Sequence, residues 1–440
     1  MQGVTLSRIA QTITQFFNKT ATKYGYETKF VQRKSKLSAQ LFVESLTSTC
    51  LNHEKISLEE ICRLIKHRGV KLTKQGLAQR FNKEANQLMK QFLDDSLKTF
   101  KVEQPVMTKL LQPFSGVKIL DSSGVELPSN LKEIYKGYGG GASNAALKLQ
   151  VLLDDTAGQI EHLSITSATQ NDQGFIHHLD DLKKGALYLQ DLGYFRIESF
   201  IAIQEAEAYF LSRYLPQTLL FNEHAQPFDL LKELHKTEAW LEQNIFMGKK
   251  KMIPIRLTAQ RVSEEIKQKR LNNIYKSYRK NTPSQLIIEL AGWSIYVTNI
   301  PSTLLTKEQI HFVYVLRWQI ELFFKLCKGY AGINKISGKN HNRIMCELYA
   351  RLINLIIFLY LCTPVRWQQT QELSYPKAYK QLKKSSQTFF KALTSPYRLI
   401  QCIKQLIGDF SSLALKDKKT KKKLTSYQTL IELTNGVAAC

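Results

Sequence analysis

The chain has 440 residues, enough for two to four domains, and its hydrophobic share of 43% and aromatic share of 10% are typical of an ordered globular protein. Its 62 Lys plus Arg outnumber its 37 Asp plus Glu, and the net charge of +25 favours a polyanionic partner, nucleic acid before a membrane surface. The 7 cysteines form no CxxC or Cys/His cluster, which argues against a disulfide framework and a zinc site and predicts a reducing, cytoplasmic location.

Residues 1–112 are predicted to form a helical, DNA-binding domain. Within them, 57–82 resembles a helix-turn-helix, in which Ser57 caps a first helix, Gly69 lies in the turn and Thr73 caps a second helix. The second helix is predicted to carry side chains that can contact phosphates or base edges, namely Lys74, Gln75, Gln79 and Arg80. An ordinary helical hairpin fits this pattern equally well.

From residue 113 the apolar residues alternate with a period of two, which predicts strands. Residues 113–221 contain the strand "GVKILDSS", a hairpin at 145–168 around the turn "DDTAG", a helix-like stretch at 173–184 and the strand "GALYLQDLGYF". Strands that alternate with helices predict an α/β domain with a mixed sheet.

Residues 222–301 interrupt this plan as an insertion subdomain. They include the basic stretch "MGKKKMIPIRL" and the charged helix "SEEIKQKRLNNIYKSYRK", and they close with a predicted β-hairpin at 285–301.

The core resumes over residues 302–370. Its most hydrophobic run, 352–362, has 11 residues, whereas a membrane span needs about 20, so a buried helix and no membrane partner are predicted. Residues 371–440 are predicted to be helical and basic, with "KDKKTKKK" at 416–423 as a mobile loop that can contact phosphates.

Two aspartates share one setting in the predicted strands. Asp121 follows "VKIL" and Asp191 follows "LYLQ", so each is expected at the carboxyl end of a strand, where α/β sheets usually place their chemistry. Either aspartate alone would be typical of a turn. Brought together with Glu321, they would repel each other unless a divalent cation lay among them, and hard oxygen ligands select Mg²⁺ or Mn²⁺.

Glu321 lies in "VYVLRWQIELFFKLCKGY", residues 313–330, which is predicted to be a single amphipathic helix. The side chains that share one stripe of this helix are Tyr314, Arg317, Glu321 and Lys328, with Lys325 beside them. The rest of the circumference is predicted to pack against a core, through Leu316, Ile320, Leu322, Phe323 and Leu326. A solvated face with helix ion pairs is the ordinary alternative.

The spacing Tyr314-x2-Arg317-x3-Glu321-x6-Lys328 resembles the YREK motif of IS4-type insertion-sequence transposases. "ILDSSGVELP" and "LYLQDLGYF" are similar to the segments that carry the first and second aspartates of that family, and "YKGYGGGASNAALKLQ" is similar to its loop and second strand. The resemblance covers roughly residues 55–370. It implies an RNase H-like catalytic domain with a mixed sheet, interrupted by a β-rich insertion and flanked by helical N- and C-terminal regions.

The resemblance also implies the chemistry and the partners. Asp121, Asp191 and Glu321 would be a DDE triad that binds two Mg²⁺ ions, with Mn²⁺ as an alternative. The triad would cut double-stranded DNA at transposon ends and join it to a target. Relatives imply a cut-and-paste reaction with a hairpin intermediate, and the pairing of two ends implies a homodimer in the synaptic complex.

Further DNA contacts follow from the same resemblance. The residues implied to hold the backbone near the cut are Tyr314, Arg317 and Lys328, with Lys325 nearby. Trp293 in "GWSIYVTNI" occupies a position where related transposases stack a flipped base. A core position on its strand is an equally good interpretation of Trp293. Arg213 in "FLSRYL" is a further candidate for the site.

No catalytic or ligand-binding role is predicted for two other features of the sequence. His177 and His178 are adjacent, but a three-carboxylate site needs no imidazole, so surface or packing roles are predicted. The glycines at 139–141 lack a following Gly-Lys-Ser/Thr, which favours a flexible loop over a nucleotide cradle.

Two rival functions stay open on the sequence alone. A non-enzymatic DNA-binding protein, such as a decayed transposase or a transposition inhibitor, would keep the basic surface and the helices at 57–82 without cleavage. An RNase H-like host nuclease would share the three carboxylates, but no terminal inverted repeats would flank its gene.

Overall fold

Helices occupy both ends of the described chain, and the strands lie between them. The computed structural model describes residues 5–33, 35–102, 108–138, 143–249, 252–278, 281–336, 338–366 and 372–416. The helices are α1 (Leu6–Gln15), α2 (Ala21–Glu27), α3 (Ala39–Asn52), α4 (Leu58–His67), α5 (Lys74–Ala78), α6 (Lys83–Thr99), α7 (Ile197–Glu205), α8 (Leu230–His235), α9 (Glu264–Tyr278), α10 (Gln285–Leu290), α11 (Lys307–Tyr314), α12 (Trp318–Gly329), α13 (His341–Arg366), α14 (Tyr375–Ala392) and α15 (Pro396–Leu413).

The strands follow the alternating stretches of the sequence, because residues of alternating polarity suit the two faces of a sheet. They are β1 (Val117–Leu127), β2 (Ala145–Asp154), β3 (Gln159–Ser167), β4 (Leu187–Gln190), β5 (Tyr209–Arg213), β6 (Leu220–Phe221), β7 (Trp240–Met247), β8 (Ile253–Arg261) and β9 (Trp293–Thr298).

The chain forms two units, each assembled from segments that are far apart in sequence. The first unit comprises the described residues within 5–102, 122–170 and 321–416. The second unit comprises the described residues within 108–121 and 171–320. The chain passes from one unit to the other at 121/122 and at 320/321, next to the predicted site residues Asp121 and Glu321.

The first unit is built around α13, which buries side chains on all its faces. α3, α6 and α15 pack against it. Arg351 of α13 is only 1% exposed, and its guanidinium donates hydrogen bonds to the carbonyl oxygens of Cys50, His53, Glu54 and Ala331. These bonds compensate the cost of burying the cation and connect α13 to the end of α3.

Among the described residues, α13 is also the single helix long and apolar enough to cross a membrane, and its apolar stretch is wholly buried in the protein. The prediction of a buried helix at 352–362 is therefore confirmed. The helical character predicted for residues beyond 370 is confirmed by α14 and α15. Residues 417–423 of the predicted basic loop lie outside the described residues.

The helix-turn-helix stretch begins as predicted. The Ser57 hydroxyl and the Glu60 carboxylate form a reciprocal capping box at the start of α4. Gly69 has a φ of +84°, which glycine adopts without steric cost, and it turns the chain towards α5. The Thr73 hydroxyl accepts a hydrogen bond from the Gly76 backbone amide and caps α5.

The second helix of this pair is shorter than predicted. α5 ends at Ala78, so Gln79 and Arg80 follow the helix instead of lying on it. Asn82 already caps the next helix, α6, so the chain leaves the helical conformation before that cap.

The second unit contains a mixed sheet in the order β1-β4-β5-β9-β8-β7-β6. β1, β4 and β5 run parallel, and the remaining neighbours are antiparallel. In the first unit β2 and β3 form the hairpin predicted around "DDTAG". The α/β class, the mixed sheet and the β-rich insertion, with β7 and β8 followed by the charged helix α9, are therefore confirmed.

The predicted β-hairpin at 285–301 is wrong in its first half, because residues 285–290 form α10. β9 pairs with β8 along one edge, through 256–261 opposite 293–298, and with β5 along the other edge. Since both edges of β9 are occupied, no edge is left for 285–290 to pair as a strand.

The helix-like stretch predicted at 173–184 is also not a helix. It contains two short 3-10 turns, Asp172–Gly174 and His177–Leu179, with Phe175 in extended conformation between them. The extended residue breaks the run of helical backbone, so no α-helical turn forms.

Arg256 connects the β-rich insertion to the chain that enters α11. It is 5% exposed, and its guanidinium donates hydrogen bonds to the Glu242 carboxylate and to the Leu305 carbonyl oxygen, both at 2.7 Å. A third bond reaches the Ile300 carbonyl oxygen at 3.3 Å. The insertion therefore supports the start of the segment that carries the YREK motif.

Candidate active site

Three neighbouring parallel strands each have one residue that directly follows the last position paired between them. Leu120 of β1 lies opposite Gln190 of β4, which lies opposite Ser212 of β5. The next residues of the three strands are Asp121, Asp191 and Arg213. Because neighbouring strands are about 4.8 Å apart, the two aspartates are side by side, with the arginine next to the second aspartate.

The two aspartates differ in their backbone setting. Asp191 directly follows β4 and precedes the 3-10 turn Leu192–Tyr194, so its predicted place at a strand end is correct. Asp121 lies inside β1, which continues to Leu127 although its pairing with β4 stops at Leu120. The prediction of a strand end is therefore wrong for Asp121, yet the register still aligns it with Asp191.

Arg317 is the ionic partner of Asp121. Its Nη1 lies 3.6 Å from Asp121 Oδ2, and the two side chains are only 8% and 22% exposed. Arg317 belongs to the 3-10 turn Val315–Arg317 between α11 and α12. The ion pair offsets the cost of withdrawing both charges from water.

Tyr314 packs beside the second aspartate. Its hydroxyl donates a hydrogen bond to the Gln190 carbonyl oxygen at 3.2 Å. Burial raises the pKa of Tyr314, and the carboxylate of Asp191 raises it further, so the hydroxyl stays protonated at neutral pH. The Tyr314 ring contacts the Tyr296 ring at a centroid distance of 4.7 Å, and the Arg213 guanidinium lies 5.8 Å from its centroid.

A cavity of about 420 Å³ opens beside this cluster. Its wall includes Arg213, Arg270, Trp293 and Tyr296. Trp293 is 9% exposed, and the Arg261 guanidinium lies 4.9 Å from the centre of its indole. Trp293 is therefore both packed in its strand and part of a cavity wall. Its position agrees with a core role as well as with a stacking role.

Arg270 and Tyr296 are not among the residues that the sequence pattern singled out. Arg270 of α9 donates hydrogen bonds to the Trp293 carbonyl oxygen at 2.7 Å and to Ser294 Oγ at 2.8 Å. Burial lowers the pKa of Arg270, and the neighbouring Arg213 lowers it further. In the sequence Arg270 is one of several cations of a charged helix, so no local signal separates it from the others.

The segment 313–330 is not one continuous α-helix. The 3-10 turn Val315–Arg317 separates α11 from α12, and it buries Tyr314 and Arg317 instead of leaving them on a solvated face. Leu322, predicted to pack in a core, is 43% exposed. The burial predicted for the other apolar residues is confirmed, namely Leu316, Ile320, Phe323 and Leu326.

Glu321, Lys325 and Lys328 lie on α12 in the first unit. Glu321 and Lys328 are half-buried, and Lys325 is exposed. Their spacing of four and three residues places them along one side of the helix.

The N-terminal candidates belong to the first unit as well. Lys74 Nζ lies 2.7 Å from the Glu59 carboxylate, and both side chains are exposed. Arg80 donates a hydrogen bond to the Phe30 carbonyl oxygen at 2.7 Å, and its guanidinium lies 4.2 Å from the centre of the Phe30 ring. Gln75 and Gln79 are exposed.

Asp121 and Asp191 supply carboxylate oxygens, which are the type of ligand that hard divalent cations bind. Within the part of the chain that the structure describes, no group of three His, Cys, Asp or Glu side chains is arranged to hold a metal ion. His178 is buried against the Phe175 ring, and His177 is exposed. The glycines at 139–141 lie outside the described residues.

Comparisons with known proteins identify the family of the chain. The family model described as "Transposase DDE domain" matches residues 112–357. The transposase for insertion sequence element IS231F of Bacillus thuringiensis subsp. israelensis is 29% identical over 379 residues, covering 80% of this chain and 78% of that protein. The transposase for insertion sequence element IS1151 of Clostridium perfringens is 27% identical over 464 residues, covering 97% and 96%.

Among solved structures, a cryo-EM structure of the piggyBac transposase synaptic complex with hairpin DNA aligns with a TM-score of 0.45 and 10% identity. The alignment covers 94% of this chain and 87% of that chain.

A mixed sheet that aligns acidic residues on adjacent parallel strands, in a chain matched over more than half its length by the transposase domain, defines a DNA-transposing enzyme. The chain belongs to the DDE transposase family, and within it to the IS4-type insertion-sequence transposases. It is an enzyme that cleaves DNA and transfers strands, and its family uses divalent metal ions. Family membership removes the host nuclease as an alternative.

Proposed function

We propose that Asp121, Asp191 and Glu321 form the catalytic triad of a cut-and-paste transposase acting at the terminal repeats of an insertion sequence. The observation that carries this proposal is the register of the parallel strands β1 and β4, whose last pair, Leu120 opposite Gln190, directly precedes Asp121 and Asp191. Arg317 adds support, since it contacts Asp121 and precedes Glu321 by four residues along the chain.

The three carboxylates would hold two Mg²⁺ ions, with Mn²⁺ as an alternative. When bound, such a pair supplies activation of an attacking water and stabilisation of the leaving oxygen. Arg317 orients the Asp121 carboxylate, and the protonated Tyr314 hydroxyl supports the backbone next to Asp191. Lys325 and Lys328 supply charge for the phosphates of the strand being cut.

The test is a nicking assay on duplexes that carry the terminal inverted repeats of the flanking element, in the presence of Mg²⁺. Asp121→Asn, Asp191→Asn and Glu321→Gln should each abolish cleavage while binding of the ends persists. The matched controls Asp181→Asn and Glu133→Gln change exposed carboxylates that pair with neighbouring lysines, and they should cleave normally. Cleavage by a triad variant at the wild-type rate would remove that residue from the triad.

Lys328 serves as a phosphate contact in this proposal. Lys328→Ala should weaken binding of transposon-end DNA and reduce the slope of log affinity against log salt by about one. An unchanged slope would remove Lys328 from the DNA surface.

Trp293 is proposed to stack a flipped base during hairpin formation, supported by its place in the cavity wall with Arg213 and Arg270. Trp293→Ala should leave the first nick intact and impair the hairpin, whereas Trp293→Phe should retain part of it because a π-face remains. Equal loss of both steps would assign Trp293 to the core.

The active assembly is proposed to be a homodimer that holds two DNA ends in the cytoplasm. A DNA substrate with two ends supports the dimer, and the basic chain supports its binding to DNA. Mass photometry of the protein with and without end duplexes should show a species with two protein chains only when DNA is present. A single chain on DNA under cleaving conditions would contradict it.

A further inference from the structure

A groove on the C-terminal helices carries positive charge that the triad and the YREK motif do not account for. α14 and α15 pack against each other and are joined by residues 393–395. Beside the junction lies an open groove of about 760 Å³. Its polar lining includes Thr388, Lys391, Tyr397, Arg398, Gln401 and Lys404.

The charge of this groove is unbalanced. No Asp or Glu lines it, and Asp409 is the single acidic residue in the sequences of α14 and α15. Within the described part of the chain, the side chains of Lys391, Arg398 and Lys404 form no ion pair. By contrast, Lys416 is paired with Glu372. Three exposed cations on one concave surface attract a polyanion.

The surface suits a phosphate backbone better than a lipid surface. The apolar faces of both helices are already buried, through Leu382 and Phe389 of α14 and Leu399 and Leu406 of α15. A membrane-binding helix would instead expose an apolar stripe opposite its cations. Tyr397 is 71% exposed and offers a hydroxyl donor at the same groove.

We propose that the groove between α14 and α15 binds the phosphodiester backbone of duplex DNA, as a contact additional to the triad and the YREK residues. The inference depends on the proposed function for its DNA substrate. Its contacts are electrostatic and sequence-independent, so they add affinity without selecting the terminal repeat.

The test measures binding of the full chain to an end duplex by fluorescence anisotropy over a range of salt concentrations. The variant Lys391→Gln/Arg398→Gln/Lys404→Gln should reduce the magnitude of the log–log salt slope by about 2 to 3, since each lost phosphate contact removes about 0.9. The control Lys23→Gln/Lys90→Gln/Lys184→Gln removes the same charge from exposed lysines that pair with acids, and it should keep the slope. Nicking at saturating protein should persist in both variants.

A second variant, Lys391→Arg/Arg398→Lys/Lys404→Arg, keeps the charges and should keep the slope. Equal slopes for the glutamine variant and its control would overturn the proposal. So would a loss of binding to phosphatidylserine vesicles with DNA binding unchanged. Failure of the wild-type chain to bind or nick the end duplex would overturn the proposed function as well, which separates the two failures.

Discussion

Arg317 contacts the Asp121 carboxylate and so contributes to its position. Lysine would keep the charge at this position but not the planar guanidinium that reaches Asp121 at 3.6 Å. We expect Arg317→Lys to slow nicking at least about tenfold, equivalent to about 1.4 kcal/mol, with little change in melting temperature. Single-turnover nicking and thermal melting measure the two effects.

Arg317→Ala should behave differently, because it removes the guanidinium that faces the shielded Asp121 carboxylate. This variant should lose stability as well as cleavage. Nicking by Arg317→Lys at the wild-type rate would show that the contact with Asp121 is not needed for the reaction.

His311 gives the stability of the protein a pH dependence of defined sign. Burial against Trp240 and Tyr296 lowers its pKa from the ordinary 6.5 to about 3, so the folded protein holds it neutral. The unfolded chain protonates it below pH 6.5. Its contribution is therefore fully present above pH 6.5 and is lost as the pH falls towards 3, by up to about 1.4 kcal/mol per pH unit.

Glu347 acts in the opposite direction, because burial raises its pKa from 4.5 to about 7 despite the opposing charge of Arg343. Its contribution is fully present below pH 4.5 and is lost as the pH rises through 7.

The effect of His311 is separated from that of Glu347 by the difference in unfolding free energy between the wild type and His311→Gln, from urea titrations. The difference should grow from pH 4.5 to 6.5 and then level off; a constant difference would mean that His311 titrates normally.

Replacement of glycine by alanine should change the stability of the protein in opposite directions at two positions, one in a turn and one in a helix. An added Cβ would meet no atom within 4 Å at either Gly69 or Gly408. Gly69 has a φ of +84°, so Gly69→Ala should destabilise the protein by about 1 kcal/mol. Gly408 lies inside α15, so Gly408→Ala should stabilise it by about 0.5–1 kcal/mol. Thermal or urea unfolding of the two variants measures both effects, and shifts of equal sign would contradict the backbone explanation.

The elements also show where local sequence determines structure. The caps at Ser57 and Thr73 and the hairpin of β2 and β3 form as predicted, because each depends on neighbours a few residues away. The stretch 285–290 becomes α10 because the edges of β9 are taken by strands distant in sequence. The 3-10 turn before α12 is likewise set by packing that buries Tyr314 and Arg317.

For the molecule as a whole, the N-terminal helices are part of the same unit as α13. α3 and α6 cover α13, and Arg351 is bonded to carbonyl oxygens at the end of α3. A chain without residues 1–106 should expose the apolar surface of α13 and leave this guanidinium without those acceptors. We expect such a chain to aggregate and to bind a hydrophobic dye, measured by size exclusion and dye fluorescence against the full chain.

The outcome that contradicts this expectation is a monodisperse truncated chain with native near-ultraviolet dichroism. Residues 1–106 would then fold separately from α13, as a recognition domain does.

The amino-acid sequence alone determined the α/β class, the buried helix at 352–362, the caps and the acidic candidates, because these follow from periodicity and short spacings. Only the tertiary structure decided that Arg213 joins the row of Asp121 and Asp191, that Arg317 contacts Asp121, and that Arg270 and Tyr296 line the neighbouring cavity. The reason is physical: strand register and the packing of an inserted helix bring together residues far apart in the chain, and no local pattern encodes which of them will meet.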